Sequence, residues 1–203
     1  IYVSYFDERT MRYLEDANRS HQRLLDVTNS FTPLYRRDLR KKSNYCNLLD
    51  CVKNSIRLIK AKKISSDIQF IYSIEKDVIV QMNEGELQTI LINLFDNACY
   101  WIKDSQKNDK RILIETENDQ NGRITVVVSD TGIGVEPENA EKIFAPGITA
   151  KPKGIGMGLV IVTELVNAYG GKAGIRCPGN IQGATFFFDV PIKRRGHNEG
   201  LND

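Results

Sequence analysis

The spacing of hydrophobic and polar residues divides the chain into a helical first part and a mixed second part. In the first part, apolar, small and polar residues recur at alternating steps of three and four, which is typical of a helix packed on a partner helix. These positions are Leu14, Ala17, His21, Leu24, Thr28, Phe31 and Tyr35. A basic run covers residues 35–42, and a boundary is expected near residues 44–48. We predict a helix within residues 1–43, a folded domain over residues 44–192 and a loose tail over residues 193–203.

Beyond the boundary, the pattern predicts both helices and strands. The predicted helices span residues 47 to about 62, 84 to about 103 and 158 to about 169, and the predicted strands span residues 68–74, 78–82, 111–117, 123–130, 172–177 and 184–190. A short polar turn joins strands 111–117 and 123–130, which are expected to form a hairpin. Because strands and helices do not strictly alternate, we predict an α+β fold with a mixed or antiparallel sheet and helices on one face.

The helix that begins at residue 84 has the clearest pattern. Asn83 followed by Glu86 has the spacing of a capping box. Asn93, Asn97 and Tyr100 lie along the edge of its apolar stripe. The stripe consists of Leu87, Ile90, Leu91, Leu94, Ala98, Trp101 and Ile102.

The two asparagines in the middle of this helix need an explanation, because the amide of Asn competes for the backbone and weakens a helix. The side-chain oxygens of Asn93 and Asn97 could face a hard cation such as Mg²⁺. Alternatively, both are boundary residues that hydrogen-bond to nearby loops.

Composition narrows the class of protein. The chain has 203 residues, 41% hydrophobic and 27% charged, so a packed core is expected. The net charge of +2 gives no reason to expect a nucleic-acid partner, and no apolar run approaches the roughly 20 residues of a membrane span. The chain begins without Met and is expected to be a fragment. Its four cysteines have no CxxC spacing, which favours reduced thiols in a cytoplasmic protein over a metal cluster.

Two glycine-rich stretches have the composition of ligand-binding loops. Asp130 ends an apolar strand and is followed by Gly132 and Gly134, so its carboxylate could accept a hydrogen bond from a ligand amine while the glycines admit the ligand. The alternative is a simple turn. In the second stretch, three glycines precede an apolar helix, and free backbone N–H groups at a helix N-terminus can bind an anion. These glycines are Gly154, Gly156 and Gly158.

The segment before these glycines has the composition of a lid. Phe144 is a candidate hydrophobic anchor and Lys151 a candidate mobile charge, in a stretch rich in Gly, Pro and Lys. An ordinary surface loop is the alternative. The glycine pattern lacks the GK[ST] of a P-loop and the spacing of a dinucleotide fold.

Five stretches occur together in the order of a known family: NLFDNA, DTGIGV, IFAPGITAK, GIGMGL and GATFFF. In the order and spacing of these five stretches, residues 43–192 resemble the GHKL superfamily of ATP-binding domains. They resemble most of all the catalytic domain of bacterial sensor histidine kinases. The resemblance implies a two-layer α/β sandwich of the Bergerat type, preceded by a long N-terminal helix. It also implies ATP and Mg²⁺ as cofactors, ADP as product and a response regulator or phosphoacceptor domain as partner.

The resemblance also implies residue roles. Asn93 and Asn97 would face the Mg²⁺, Lys151 would approach the terminal phosphates, and these three are the implied catalytic residues. Asp130 would accept from the adenine amino group, and Thr185 would support that contact through water. The whole implied site comprises Asn93, Asn97, Tyr100, Asp130, Gly132, Gly134, Phe144, Thr149, Lys151, Gly154, Gly156, Met157, Gly158, Leu159 and Thr185.

Two positions bear on the reaction type. ATP-hydrolysing relatives carry a water-activating Glu where this chain has Asn93, and Asn cannot act as a general base. The chain therefore resembles a phosphotransferase. Histidine kinases usually have Lys-Tyr where this chain has Tyr100 and Trp101. We interpret Trp101 as a core residue, with ligand stacking as the alternative.

The phosphorylated residue is harder to assign. His21 precedes Gln22 rather than an acidic residue, and its spacing fits the second helix of a truncated dimerisation hairpin, so we interpret it as structural. His197 lies in the tail. Three hypotheses follow: a sensor histidine kinase fragment whose acceptor lies elsewhere and which dimerises through its first helix, a nucleotide-responsive switch or ATPase without histidine phosphotransfer, and a protein-serine kinase of the same fold.

Overall fold

The computed structural model describes residues 9–18, 20, 45–61, 67–118, 121–152, 154–177, 179 and 181–193. Residues 9–18 are helical, with side chains that are mostly exposed. The predicted seam from His21 to Tyr35 and the tail residue His197 lie outside the described residues. The long N-terminal helix, its dimerisation role and the three-segment division therefore stay predictions.

The remaining elements agree with the predicted order. The helices are α1 (Leu48–Ala61), α2 (Glu84–Asp104) and α3 (Gly158–Asn167), with short 3₁₀ turns at Pro137–Asn139 and Lys142–Phe144. The strands are β1 (Cys46–Asn47), β2 (Gln69–Ser73), β3 (Ile79–Val80), β4 (Arg111–Asn118), β5 (Arg123–Asp130), β6 (Ala173–Arg176) and β7 (Thr185–Pro191). Among the described residues, no helix combines the length and apolar character that a membrane span requires.

Five strands form a mixed sheet in the order β2-β4-β5-β7-β6. Strand β2 pairs with β4 in parallel, and the other neighbours are antiparallel, so the predicted mixed sheet is confirmed. Strands β4 and β5 form the predicted hairpin, in which Ile112 lies opposite Asp130. This register places Asp130 at the end of a central strand, next to the loop that follows it.

The helices cover one face of the sheet, because alternate strand residues are apolar on that side. Ile124, Val126 and Val128 of β5 belong to the same buried cluster as the apolar faces of α1, α2 and α3. On α2 the buried face is wider than the predicted stripe. It includes Phe95, whose ring meets that of Phe70 edge-on at a centroid distance of 5.6 Å.

The N-terminus of α2 is capped as predicted, with one difference. Asn83 Oδ1 accepts from the backbone N–H groups of Gly85 (3.0 Å) and Glu86 (3.4 Å). The Asn83 N–H donates to the hydroxyl of Tyr169 (3.1 Å), and that hydroxyl donates to the Glu86 carboxylate. Tyr169 therefore replaces the direct Glu86–backbone contact of a capping box and ties the end of α3 to the start of α2.

Candidate functional site

A cavity of about 1000 Å³ lies between α2, the N-terminus of α3 and the loops at residues 133–136 and 148–157. Among the residues implied by the resemblance, its walls contain Asn93, Asn97, Tyr100, Gly134, Thr149, Lys151, Gly154, Gly156, Met157, Gly158 and Leu159. Asp130, Gly132, Phe144 and Thr185 do not line it. The walls also contain residues that sequence reasoning missed, among them Asp96, Ile133, Ile148 and Ala184.

Asp130 lies directly behind the cavity wall. Its side chain is buried, and its Oδ1 accepts from the backbone N–H groups of Gly132 (2.8 Å) and Ala184 (3.3 Å). The Asp130 N–H in turn donates to the Ala184 carbonyl (2.9 Å). Because Ala184 lines the cavity, this backbone pairing places the carboxylate next to it.

Burial dominates the electrostatics of Asp130. It raises the pKa of the carboxyl to about 6, against the lowering effect of the two backbone N–H groups and of the Lys107 ammonium. At neutral pH the group is therefore mainly a carboxylate that has lost most of its water. Such a carboxylate is a strong acceptor for a ligand N–H.

Two glycines allow the backbone to pass close to Asp130. A Cβ on Gly132 would lie 2.8 Å from Asp130 Oδ1, and a Cβ on Gly183 would lie 1.9 Å from the Asp130 carbonyl oxygen. Any larger residue at position 183 would displace the strand end. Gly183 was not among the predicted site residues, although it begins the GATFFF stretch.

Lys107 connects the two loops around Asp130. Its Nζ donates to the carbonyl oxygens of Gly132 (2.7 Å) and Gln182 (2.9 Å). Nothing in the local sequence identifies this role, because the contacts are made across 25 and 75 positions of the chain.

Thr185 is not in the place that the resemblance implied. It is paired with Ser129 across β5 and β7, and its hydroxyl donates to Ser129 Oγ (3.0 Å). Successive side chains of a strand point to opposite faces, so Thr185 points away from Phe186, which lines the cavity. The neighbouring Ala184, which has no hydroxyl, occupies the cavity side instead.

At the other end of the cavity, α2 presents the two asparagines at its half-buried edge. Asn93 Nδ2 donates to the Thr89 carbonyl one turn earlier (2.8 Å). This bond orients the amide so that Oδ1 faces the start of α3, where a Cβ on Gly158 would lie only 2.9 Å away. The glycine therefore leaves room for the Asn93 oxygen.

Asn97 Oδ1 faces a cation. It accepts from Lys151 Nζ at 2.8 Å, while Asp96 Oδ2 lies 3.4 Å from the same ammonium. The ammonium also lies 4.9 Å from the centroid of the Tyr100 ring. An amide oxygen, a carboxylate and an aromatic face thus surround one positive charge. The two oxygens are the kind of ligand that a hard cation takes.

The lid-like segment is folded back on itself. Gly147 N–H donates to the Gly156 carbonyl (3.2 Å), and Gly154 N–H donates to the Lys151 carbonyl (2.9 Å). Thr149 Oγ1 accepts from the Lys151 N–H (3.1 Å). Gly156 has φ of +71°, and a Cβ there would lie 2.5 Å from the Gly147 carbonyl carbon, so only glycine fits.

The residues on either side of this segment attach it to the core and present a helix N-terminus to the cavity. Phe144 packs edge-on against Phe186 at 6.3 Å and so attaches the segment to the core. Among the described residues, the N-cap residue of α3, Met157, makes no side-chain capping bond. Met157, Gly158 and Leu159 line the cavity, so the first turn of α3 presents its backbone N–H groups on that side. An anion is the natural partner for them.

Trp101 is not a core residue, and that first interpretation was wrong. Its side chain is half-buried and lines the cavity, with its ring edge-on to Tyr100 at 4.8 Å. The stripe continues past it through Ile102, which is fully buried. Because Trp101 lies in the cavity wall, its ring could stack on a ligand, which was the alternative interpretation.

Residues 82–194 match the family described as histidine kinase-, DNA gyrase B-, and HSP90-like ATPase. The chain belongs to this family. The curated relatives include sensor histidine kinase ZraS of Salmonella typhi, which is 28% identical over 150 residues, covering 73% of this chain and 31% of that protein. The C4-dicarboxylate transport sensor protein DctB of Rhizobium meliloti is 38% identical over 104 residues, covering 51% and 16%. The chain thus spans about a third or less of these relatives.

Solved structures agree. The catalytic domain of histidine kinase ThkA is 28% identical with a TM-score of 0.61, covering 72% of this chain and 93% of that one. The mycobacterial sensor histidine kinase MprB, at 21% identity, has the same fold, with a TM-score of 0.65 over 75% of this chain and 99% of that one. The predicted family and fold are confirmed, and the domain is an ATP-binding domain of the sensor-kinase type.

Proposed function

We propose that the whole protein is a sensor histidine kinase in which this domain binds Mg-ATP and delivers the γ-phosphoryl group to a histidine. One observation carries the proposal: a buried carboxylate behind one end of the cavity, and a half-buried amide oxygen that already faces a cation at the other. An adenine amine suits the first, and a metal-bound triphosphate suits the second.

At the carboxylate end, Asp130 accepts from the adenine amino group. The carboxylate is held by two backbone N–H groups, so little reorganisation is needed when the base enters. Ile133 and Trp101 supply apolar surface against the ring. Thr185 has no part in this contact, because it lies on the opposite face of the sheet.

At the amide end, Asn93 and Asn97 hold Mg²⁺ through their side-chain oxygens. When bound, the metal neutralises charge on the phosphates and on the phosphoryl group in transfer. The residues present fit this metal, since Asn97 Oδ1 and Asp96 Oδ2 already face the Lys151 ammonium. Lys151 gives up these contacts and turns to the terminal phosphates, while the open N–H groups of α3 bind phosphate oxygens.

Transfer is favoured over hydrolysis because the Asn93 amide donates to Thr89 and cannot take a proton from water. The phosphoryl acceptor is a histidine on a helical hairpin, a response regulator takes the group from it, and the hairpin forms a homodimer. A nucleotide-responsive switch is the second candidate, favoured by the contacts of Lys151 with Asp96 and Asn97, which a bound nucleotide would have to displace.

Incubation with γ-labelled ATP tests the proposal. The chain alone should bind ATP but neither release phosphate rapidly nor label itself. A longer form that carries the acceptor hairpin should acquire acid-labile, base-stable label. Rapid phosphate release would favour an ATPase, and a silent longer form would favour the switch. Label on the chain alone that is lost in His21→Ala would overturn the structural interpretation of His21.

A further inference from the structure

Two cysteines meet where β1 leads into α1. Cys46 lies in β1 and is half-buried, and Cys51 lies one turn into α1 and is 1% exposed. Cys46 directly precedes the N-cap residue Asn47, and Cys51 is the fourth residue of α1, so their side chains occupy the two positions that face each other at a helix start. Cys51 belongs to the main hydrophobic cluster and Cys46 packs against it. All four cysteines of the chain are free thiols.

The contact is held by the surrounding backbone. Cys46 is paired with Val80 of β3, and Leu48 N–H donates to the Val78 carbonyl at 3.0 Å. Asn47 caps the helix by accepting from Asp50 N–H (3.0 Å), and its Nδ2 donates to the Lys76 carbonyl (2.7 Å). The four residues between Cys46 and Cys51 therefore have little freedom to move the thiols apart.

The two sulfurs have different electrostatic environments. The hydrogen bond from Cys51 lowers the pKa of Cys46, against the opposing effects of burial and of Glu84. The same bond, together with burial, raises the pKa of Cys51. Cys46 is the more accessible of the two thiols, so a peroxide reaches it first, and the neighbouring Cys51 favours its thiolate form.

We propose that Cys46 and Cys51 form a peroxide-sensitive dithiol that closes into a reversible disulfide. In the first step the Cys46 thiolate attacks one oxygen of a hydroperoxide, the O–O bond breaks, and the other oxygen takes a proton and leaves as water or alcohol. In the second step the Cys51 sulfur attacks the resulting Cys46 sulfenic acid, and the hydroxyl and the Cys51 proton leave together as water. A thiol reductant reverses the reaction.

The other two cysteines lack this arrangement. Cys99 is buried in α2, and burial raises its pKa to about 12. Cys177 is exposed, and its thiol donates weakly to the Val135 carbonyl at 3.7 Å. Both serve as internal references for the oxidation of Cys46 and Cys51. Cys99 is inaccessible, and Cys177 is accessible but has no neighbouring thiol.

The proposal does not depend on nucleotide chemistry. Neither Cys46 nor Cys51 lines the cavity. The disulfide would instead link the strand through which the chain enters the folded domain to the first turn of α1. Adenine-nucleotide affinity of the oxidised and reduced forms should therefore be equal within twofold.

Peptide mapping after a graded treatment of the full chain with hydrogen peroxide tests the pair. Trypsin leaves Cys46 and Cys51 together in the peptide of residues 43–53, with Cys99 and Cys177 in two others. After alkylation, this peptide should appear unalkylated and lighter by two hydrogens, at a peroxide concentration that leaves most of Cys177 alkylatable. Dithiothreitol should restore both alkylation sites.

Two variants separate the roles. In Cys51→Ser, dimedone should trap Cys46 as a sulfenic-acid adduct that the wild type does not accumulate. In Cys46→Ser, Cys51 should stay reduced at the same peroxide concentration. Circular dichroism checks the fold of each variant. The proposal fails if both thiols of peptide 43–53 remain alkylatable when Cys177 is oxidised, or if Cys46 proceeds to sulfinic acid in the wild type.

Discussion

The two ends of the cavity differ in the groups that hold their polar side chains in place. Around Asp130 the partners are backbone N–H groups and closely packed glycines, and the carboxylate is 1% exposed. Around Asn97 the partners are side chains, with Lys151 19% and Asp96 49% exposed. At the first end the carboxylate is therefore held in one orientation before any ligand arrives. The second is held by a partly solvated ion pair, which costs little to exchange for a phosphate and a metal.

The largest expected effect is that of Asp130 on the free energy of unfolding of the ligand-free domain. Its folded pKa, about 6, lies above the ordinary 3.8, so the folded state binds the proton more tightly. The stabilising contribution is complete below pH 3.8 and is lost as the pH rises through about 6, by up to about 3 kcal/mol. Asp130→Asn should remove this dependence and make the ligand-free domain more stable at pH 7.

Urea unfolding at pH 4.5 and pH 7 measures this difference. Asp104→Asn, at the exposed end of α2, is the matched control and should follow the wild type. Equal stability of Asp130→Asn and wild type at both pH values would show that burial of the carboxylate costs nothing.

The second effect is on binding. Asp130→Asn should weaken ADP by about 1–3 kcal/mol, because a buried charged acceptor is lost. Wild-type affinity should also fall as the pH drops below about 6, where the carboxyl becomes protonated. Calorimetry with ADP measures both. Unchanged ADP affinity in the variant would remove Asp130 from the adenine site.

The third effect belongs to the Asn97 end. Asn97→Ala should leave the fold intact and remove most of the Mg²⁺-dependent part of ATP binding, about 1–2 kcal/mol. Asn54→Ala, a partly buried amide on α1, is the control. Calorimetry with and without Mg²⁺ measures the part of the ATP-binding free energy that depends on the metal. If Asn97→Ala unfolds or binds Mg-ATP normally, the asparagine is only a boundary residue.

The smallest effect is that of Lys151. Lys151→Gln should weaken ATP more than ADP, by less than about 1 kcal/mol, because one partly solvated charge contact to the terminal phosphate is lost. The difference should shrink at high salt. Lys53→Gln, on the exposed side of α1, should change neither affinity. Equal losses for ATP and ADP would place Lys151 away from the terminal phosphate.

The contrast between the two ends also explains what could be predicted from the sequence. The order and approximate bounds of α1 to α3 and β2 to β7 follow from hydrophobic periodicity, because each buries one face. The half-buried edge that carries Asn93 and Asn97 follows from the same helical period. Their contacts do not, because Lys151 lies 54 residues from Asn97 in the sequence.

Two residues were assigned wrongly because their place in a motif or on a helix conflicted with the tertiary structure, and one contact could not be predicted at all. Thr185 was assigned by its place in a motif, although strand alternation with Phe186 turns it to the other face. Trp101 was placed in the core because its angle on the helix is that of the stripe. Its Cβ instead lies beside the loop after β5, where a Cβ on Gly132 would be 3.0 Å away, and its side chain lines the cavity. Tyr169 reaches Glu86 across 83 residues, a contact without any local pattern.

Trp101 is the one tryptophan of the chain, and it stands in the cavity wall. Its indole emission therefore reports on a single place in the molecule, with no label attached. Arrival of a base against the ring would replace water by a polarisable surface, and the emission would change in intensity and wavelength as the site fills. The domain thus carries an optical reporter of its own occupancy, readable on the millisecond scale of a mixing experiment, and Trp101→Phe would be its dark counterpart.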